Sequence, residues 1–288
     1  MDQMLIGLIQ IFYAIGLLLL TSIGLAVAFG MMRIVNFAHG EFIMLGGFTM
    51  VFACQAGINF FVSMLVVTPL VTALLGMIVE RIIIRPLYGR IIDTILATWG
   101  LSLLLIGLAS TWIGYYQTGL TAPFGNIAIG GELVSTYTLF IIALAAATAA
   151  IVYGVLRFTS FGLLCRSVMQ DVDMASAVGI NTGRIYALTF GISTALAGLA
   201  GAAIAPLTGI VPTTGIAYAT QAFITVISGG ANAVIGTIVA SSLFGAIYQI
   251  VSQYSSNILG QMAMLLSAIV ILRLLPSGIT GRFFKGSI

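Results

Sequence analysis

A chain of 288 residues that is 60% apolar and 6% charged lies far from the roughly 25% charged residues of a soluble domain, which excludes a water-soluble globular fold. Crossing a hydrocarbon layer of ~30 Å takes about 20 residues, so the apolar runs are long enough for many crossings. The net charge of +3 comes from ten basic residues scattered along the chain, which excludes a basic patch for nucleic acid.

The connections between apolar runs are too short for a separate soluble domain, so residues 1–288 read as one transmembrane domain. The fold class is an all-α polytopic bundle of about eight spanning helices, expected at 8–30, 37–56, 59–80, 94–114, 135–156, 185–206, 233–251 and 261–276. The first run lacks a basic start and a small-residue cleavage site, so it is expected to persist as a helix. The second begins with polar residues. A ninth apolar piece, 216–228, is too short to cross unaided, and the Gly and Pro around it in TGIVPTTGIAYATQAFITVISGGANAVIGT suggest a broken or re-entrant segment.

Lys and Arg in short loops mark the cytoplasmic side. Arg81, Arg85 and Arg90 follow the third run; Arg157, Arg166 and Arg184 lie in the loop 157–184; Arg282 and Lys285 mark the C-terminus. The stretch Tyr115 to Glu132 has no Lys or Arg and is expected outside. The C-terminus lies inside if 207–232 crosses once; the N-terminus is outside if the first two runs both cross and inside if one turns back. Cys54 and Cys165 then face opposite sides and cannot pair.

Few polar residues enter the apolar runs. Asn36 and His39 in NFAHGEF are three apart and share a face if helical, whereas Glu41 points elsewhere. An ionisable group at membrane depth costs several kcal/mol unless paired or wetted, so this cluster either lines a solute path or anchors at headgroup level beside Arg33. With one histidine in the chain, a metal site is not expected. Thr98, Trp99, Gly100 and Ser102 interrupt ILATWGLSLLL; the hydroxyls can bond their own backbone and the tryptophan suits an interface, or the group lines the path. Ala197, Gly201 and Ala205 share a helix face with Gly198 and Ala202 beside it, fit for a subunit seam or for close packing within the bundle. The polar loop Phe158 to Arg184 contains an amphipathic piece, either an interfacial connector or a docking element. No phosphate-binding GxxxxGK[ST] loop and no nucleophile and base set occur, so an enzyme is not expected.

At NFAHGEF and DVDMASAVGI the chain resembles, over nearly its full length, the inner-membrane permease subunits of ATP-binding-cassette importers for branched-chain amino acids and urea. FGMMRIVNFAHGEFIMLGGF, ERIIIRPLYGR, the loop Phe161 to Ile180, ALAGLAGA and SGGANAVIGT look like family blocks in order. The resemblance implies a multi-pass protein of the bacterial inner membrane. It also implies a homologous second permease, two cytoplasmic ATPase subunits holding ATP and Mg, and a periplasmic or lipid-tethered solute-binding protein. The family's coupling motif has Glu-Ala-Ala, three residues, then Gly; here Asp173, Met174 and Ala175 precede Gly179 at that spacing, with Met in place of Ala.

IDTILATWGLSLLL and RIYALTFGISTALAGLAG look closer to the urea-type subunit, while RIVNFAHGEF suits the amino acid type equally. LRLLPSG departs from the family's frequent Arg-Pro-x-Gly. The expectation is a permease subunit for urea or a related small amide, with a branched-chain or neutral amino acid permease of the same family as the alternative. A secondary transporter or channel is the remote one. Asn36, His39, Thr98 and Trp99 are the expected path residues, and Arg166, Asp173, Ala175 and Gly179 the expected coupling residues.

Overall fold

The computed structural model describes residues 2–32, 34–129, 132–230 and 232–281. Arg33, Arg282 and Lys285, used above for orientation and anchoring, lie outside the described residues. The chain is almost wholly helical, and among the described residues seven helices are long and apolar enough to cross a membrane. Among the described residues the elements in chain order are α1 (Asp2–Met32), α2 (His39–Gln55), α3 (60–87), α4 (Ile91–Trp112), β1 (Asn126–Ile129), β2 (Glu132–Ser135), α5 (Thr136–Phe158), α6 (Ser160–Gln170), α7 (Val172–Ala177), α8 (Thr182–Thr208), α9 (Thr214–Gly229), α10 (Ala233–Tyr254) and α11 (Asn257–Leu274), eleven helices and the two strands of one antiparallel hairpin.

Two expectations change. The second run forms a helix of 17 residues, short of the roughly 20 needed to span, which leaves seven long helices rather than eight. The stretch 216–228 is one continuous helix, α9, and the irregular backbone lies in α3. There a π turn at Ser63–Val67 precedes Pro69, and another at Glu80–Ile84 precedes a 3-10 turn containing Pro86. Proline has no N–H and its ring crowds the carbonyl four residues back; widening the preceding turn relieves both.

Two compact units are distinguished: residues 1–23, 121–150 and 221–288 form one, and residues 24–120 and 151–220 the other. In the first, α10 packs on α11 around Leu18, Ala240, Phe244, Met264 and Ala268. Gly245 there lets the backbone of Ile15 approach, and Gly16 does the same for Ile142.

The second unit is organised by α8, which packs against both α2 and α3. Its small-residue face, Ala197, Gly198, Gly201, Ala202 and Ala205, is buried, so of the two readings of this face the structure has close packing within the unit. A Cβ on Gly201 would strike the Ile43 carbonyl, and Gly46 lies against the backbone of Gly198. On α3, Thr68, Thr72, Gly76 and Glu80 recur every fourth residue and are all buried, which makes one helix face. Thr72 meets Gly198 and Gly76 meets Thr194. The Ser193 hydroxyl donates to the Gly24 carbonyl at 2.7 Å, joining the end of α1 to the same helix.

Gly201→Leu is expected to destabilise the fold by at least about 2 kcal/mol, the scale of an overpacked core, lowering the thermal unfolding midpoint in detergent. Gly100→Leu, where an added Cβ meets nothing within 4 Å, is expected to leave that midpoint unchanged or slightly higher.

Candidate functional site

The turn before α2 is built by Asn36. Its Oδ1 accepts from the Ala38 N–H at 3.1 Å and its carbonyl from the His39 N–H at 3.2 Å, the short-range pattern of an Asx turn. The Phe37 N–H donates instead to the Thr98 hydroxyl at 3.2 Å, which itself donates back to Thr94 or Ile95 of α4. Asn36, His39 and Thr98 are thus brought together where α2 meets α4, each at most 1% exposed. Glu41, 2% exposed, is hydrogen-bonded by the Ser102 side chain. Trp99 lies apart from them on the exposed face of α4, with Leu96 and Leu103.

Asn36 Nδ2 and Glu41 Oε2 are buried without a hydrogen-bond partner. A buried polar atom left unsatisfied costs about 1–3 kcal/mol, so the cluster is suited to a polar molecule or water at this place in another conformation.

Each helix of the loop 157–184 is started by the side chain its sequence supplies. Thr159 accepts from the Gly162 N–H at 3.3 Å, Asp171 from Met174 at 2.9 Å and Asn181 from Arg184 at 3.0 Å. Asp171 therefore divides the expected amphipathic piece into α6 and α7. Ala175 is buried with Cys165, Val168 and Ile185, which fixes the inner face of α7. Burial pushes the Cys165 thiol up, against smaller opposing effects of Thr189 and Arg166, so this cysteine is an inert core residue.

The outer face of α7 and the turn after it carries Asp173, Met174 and Val178, all exposed, with Met174 at 64% and Val178 at 72%. Gly179 ends the helix at φ +87° with open space around it; the Ile180 N–H reaches back to the Ala175 carbonyl at 3.1 Å, a glycine-terminated helix end. Arg166 is turned inward, its guanidinium donating to the Leu156 carbonyl near the end of α5. Asp173, Ala175 and Gly179 thus belong to one helix and its cap, and Arg166 braces the helix before it.

Two residues of ERIIIRPLYGR escaped the sequence reading as side chains. Glu80 is fully buried, and the Tyr88 hydroxyl donates to it. Burial and then the Glu80 carboxylate hold the Tyr88 phenol well above its ordinary range. An acidic residue inside the apolar run LLGMIVERIII was the available signal. Among the described residues no three His, Cys, Asp or Glu gather as a metal site.

A bundle of long apolar helices, with a buried polar cluster and a capped, apolar-faced helix in a connecting loop, defines a multi-pass membrane protein with the parts of a transport subunit. A family model described as "Branched-chain amino acid transport system / permease component" matches residues 7–275, and the chain belongs to this family. It is a permease component rather than an enzyme. It is 28% identical to the high-affinity branched-chain amino acid transport system permease protein LivH of Salmonella typhimurium and to its Escherichia coli K12 namesake, each over 91% of both chains. The BraD permease protein of Pseudomonas aeruginosa is also 28% identical over the same shares. A chain in the solved structure "PsaBC from Streptococcus pneumoniae in complex with Fab" shares the fold, with TM-score 0.51 and 16% identity over 96% of this chain and 93% of that one. The leaning toward a urea-type subunit finds no support among these relatives.

Thr98→Val should remove the acceptor of the part-buried Phe37 N–H and lower stability by about 1 kcal/mol, the scale of one hydrogen bond, read as an earlier midpoint in denaturant titration. Thr98→Ser should restore most of the loss.

Proposed function

We propose that this chain is a permease subunit of an ATP-driven importer for branched-chain or neutral amino acids in the bacterial inner membrane. Family membership over residues 7–275 carries the reading, and it favours the amino acid alternative over urea. A homologous second permease, two ATPase subunits holding ATP and Mg, and a solute-binding protein complete the assembly.

In this reading the loop helix α7 receives the ATPase. Buried Ala175 anchors it on the unit while Met174 and Val178 offer apolar side chains outward, and such a patch at an exposed helix suits a protein partner. Arg166, by holding α6 to the end of α5, lets force on the loop reach a membrane helix. Asn36, His39 and Thr98 supply polar groups beside the solute route. They are closed over in this conformation, and ATP-driven motion would expose them. Trp99, on the exposed face of α4, would meet lipid or the second permease.

Reconstitution with the partner subunits and parallel vesicle uptake of labelled leucine and urea tests the substrate. ATP-dependent leucine uptake is expected; uptake of urea alone would keep the architecture and overturn the amino acid assignment. Gly179→Val, which forces a β-branched side chain into φ +87°, is expected to cut ATPase co-purification and solute-stimulated hydrolysis severalfold while membrane insertion is kept. Unchanged values for both would remove α7 from the coupling role.

A further inference from the structure

Two half-open clefts lie side by side in the unit formed by residues 24–120 and 151–220, and they have three lining residues in common. The first, of about 210 Å³, is bordered by Ile34 and Val35, which lead into Asn36, and by Thr94, one turn before Thr98. The second, of about 480 Å³, is bordered by Arg85, Thr182 and Val172, the first residue of α7. Tyr88, Gly89 and Tyr186 line both.

Two of these shared residues form a pair of aromatic rings. Tyr88 and Tyr186 lie with centroids 4.7 Å apart, tilted by 59°, a contact distance for aromatic pairs. Tyr88 is anchored at its far end, where its hydroxyl donates to fully buried Glu80 in the second π turn of α3. Its backbone has the opposite character. Gly89 follows at φ +81° with nothing within 4 Å of where a Cβ would stand, so the chain beside the ring can turn without a steric penalty. Tyr186 sits near the start of α8, four residues beyond Thr182 and close after the loop helix α7.

We infer that Tyr88 is a gating residue: latched by Glu80 against Tyr186, it separates a cleft bordered by Val35 and Thr94, next to the polar cluster, from a cleft beside the loop helix. The inference rests on the importer reading and gives it a closed point. Displacing α7 and the start of α8 would withdraw Tyr186, and rotation at Gly89 would let the Tyr88 ring follow. The two clefts then join into one route from beside the Asn36–Thr98 cluster to the loop side. Glu80 is a positioning residue in this arrangement, since it holds the ring and lines neither cleft.

The test uses the full complex with its partner permease, ATPases and binding protein in vesicles preloaded with labelled leucine and labelled urea. Efflux without ATP reads the gate directly. Tyr88→Ala is expected to leak at least one label severalfold faster than wild type, with co-purification of the ATPases unchanged and less solute moved per ATP. Tyr88→Phe keeps the ring and loses only the latch, so a smaller leak is expected, and Glu80→Leu should match it. An assembled Tyr88→Ala complex that retains both labels as wild type does would overturn the gate. Should that variant fail to assemble, Tyr88→Phe with wild-type leak and wild-type solute per ATP would overturn it equally. Absence of ATP-driven uptake by wild type would instead count against the importer reading, which the leak comparison does not depend on.

Discussion

Backbone-to-backbone approach along α8 is the constraint from which the second compact unit follows. Lipid tails are as apolar as leucine, so apolar burial gives membrane helices little reason to associate, and close van der Waals contact must supply it. Gly201 against the Ile43 carbonyl and Gly198 against Gly46 bring α2 to α8, while Gly76 at Thr194 and Thr72 at Gly198 bring α3 to the other side of the same helix. With α2 held this way, its polar start is placed beside α4, where the Thr98 hydroxyl takes up the Phe37 N–H.

The irregular parts of the backbone sit around this rigid centre. Both π turns of α3 come just before prolines and bracket the segment whose Thr72 and Gly76 key into α8. The second π turn also holds Glu80, so the same irregularity that relieves Pro86 aims a buried carboxylate at Tyr88. A buried carboxylate is expensive to keep, and its hydrogen-bonded partner at the edge of two clefts gives the expense a use.

The loop 157–184 shows a division of labour between two faces of one short helix. Ala175 goes into a small core with Cys165, Val168 and Ile185, whereas Asp173, Met174 and Val178 stay outside. The inner face ties the helix to α6 and α8; the outer face is exposed. Met174 falls on that outer face. It is an unbranched, adaptable side chain there and does not disturb the packing beneath.

Much of this was legible in the residues themselves. Hydropathy and length dictate long membrane helices, and small residues four apart on α8 announce a packed face. NFAHGEF and the DVDMASAVGI spacing pointed to the permease family, which the match over residues 7–275 shows. Other features depended on long-range geometry. That 216–228 is one continuous helix depends on which backbone groups find partners, and no periodicity encodes that. Thr98 and Trp99 are neighbours in sequence, yet one is fully buried and the other 55% exposed, because a helix turns about 100° per residue and only the packing of α2 decides which side is inside. Glu80 finds its partner locally, in Tyr88 of the same block, whereas the ring that Tyr88 packs against is a matter of tertiary structure, since Tyr186 arrives from a helix nearly one hundred residues further along the chain.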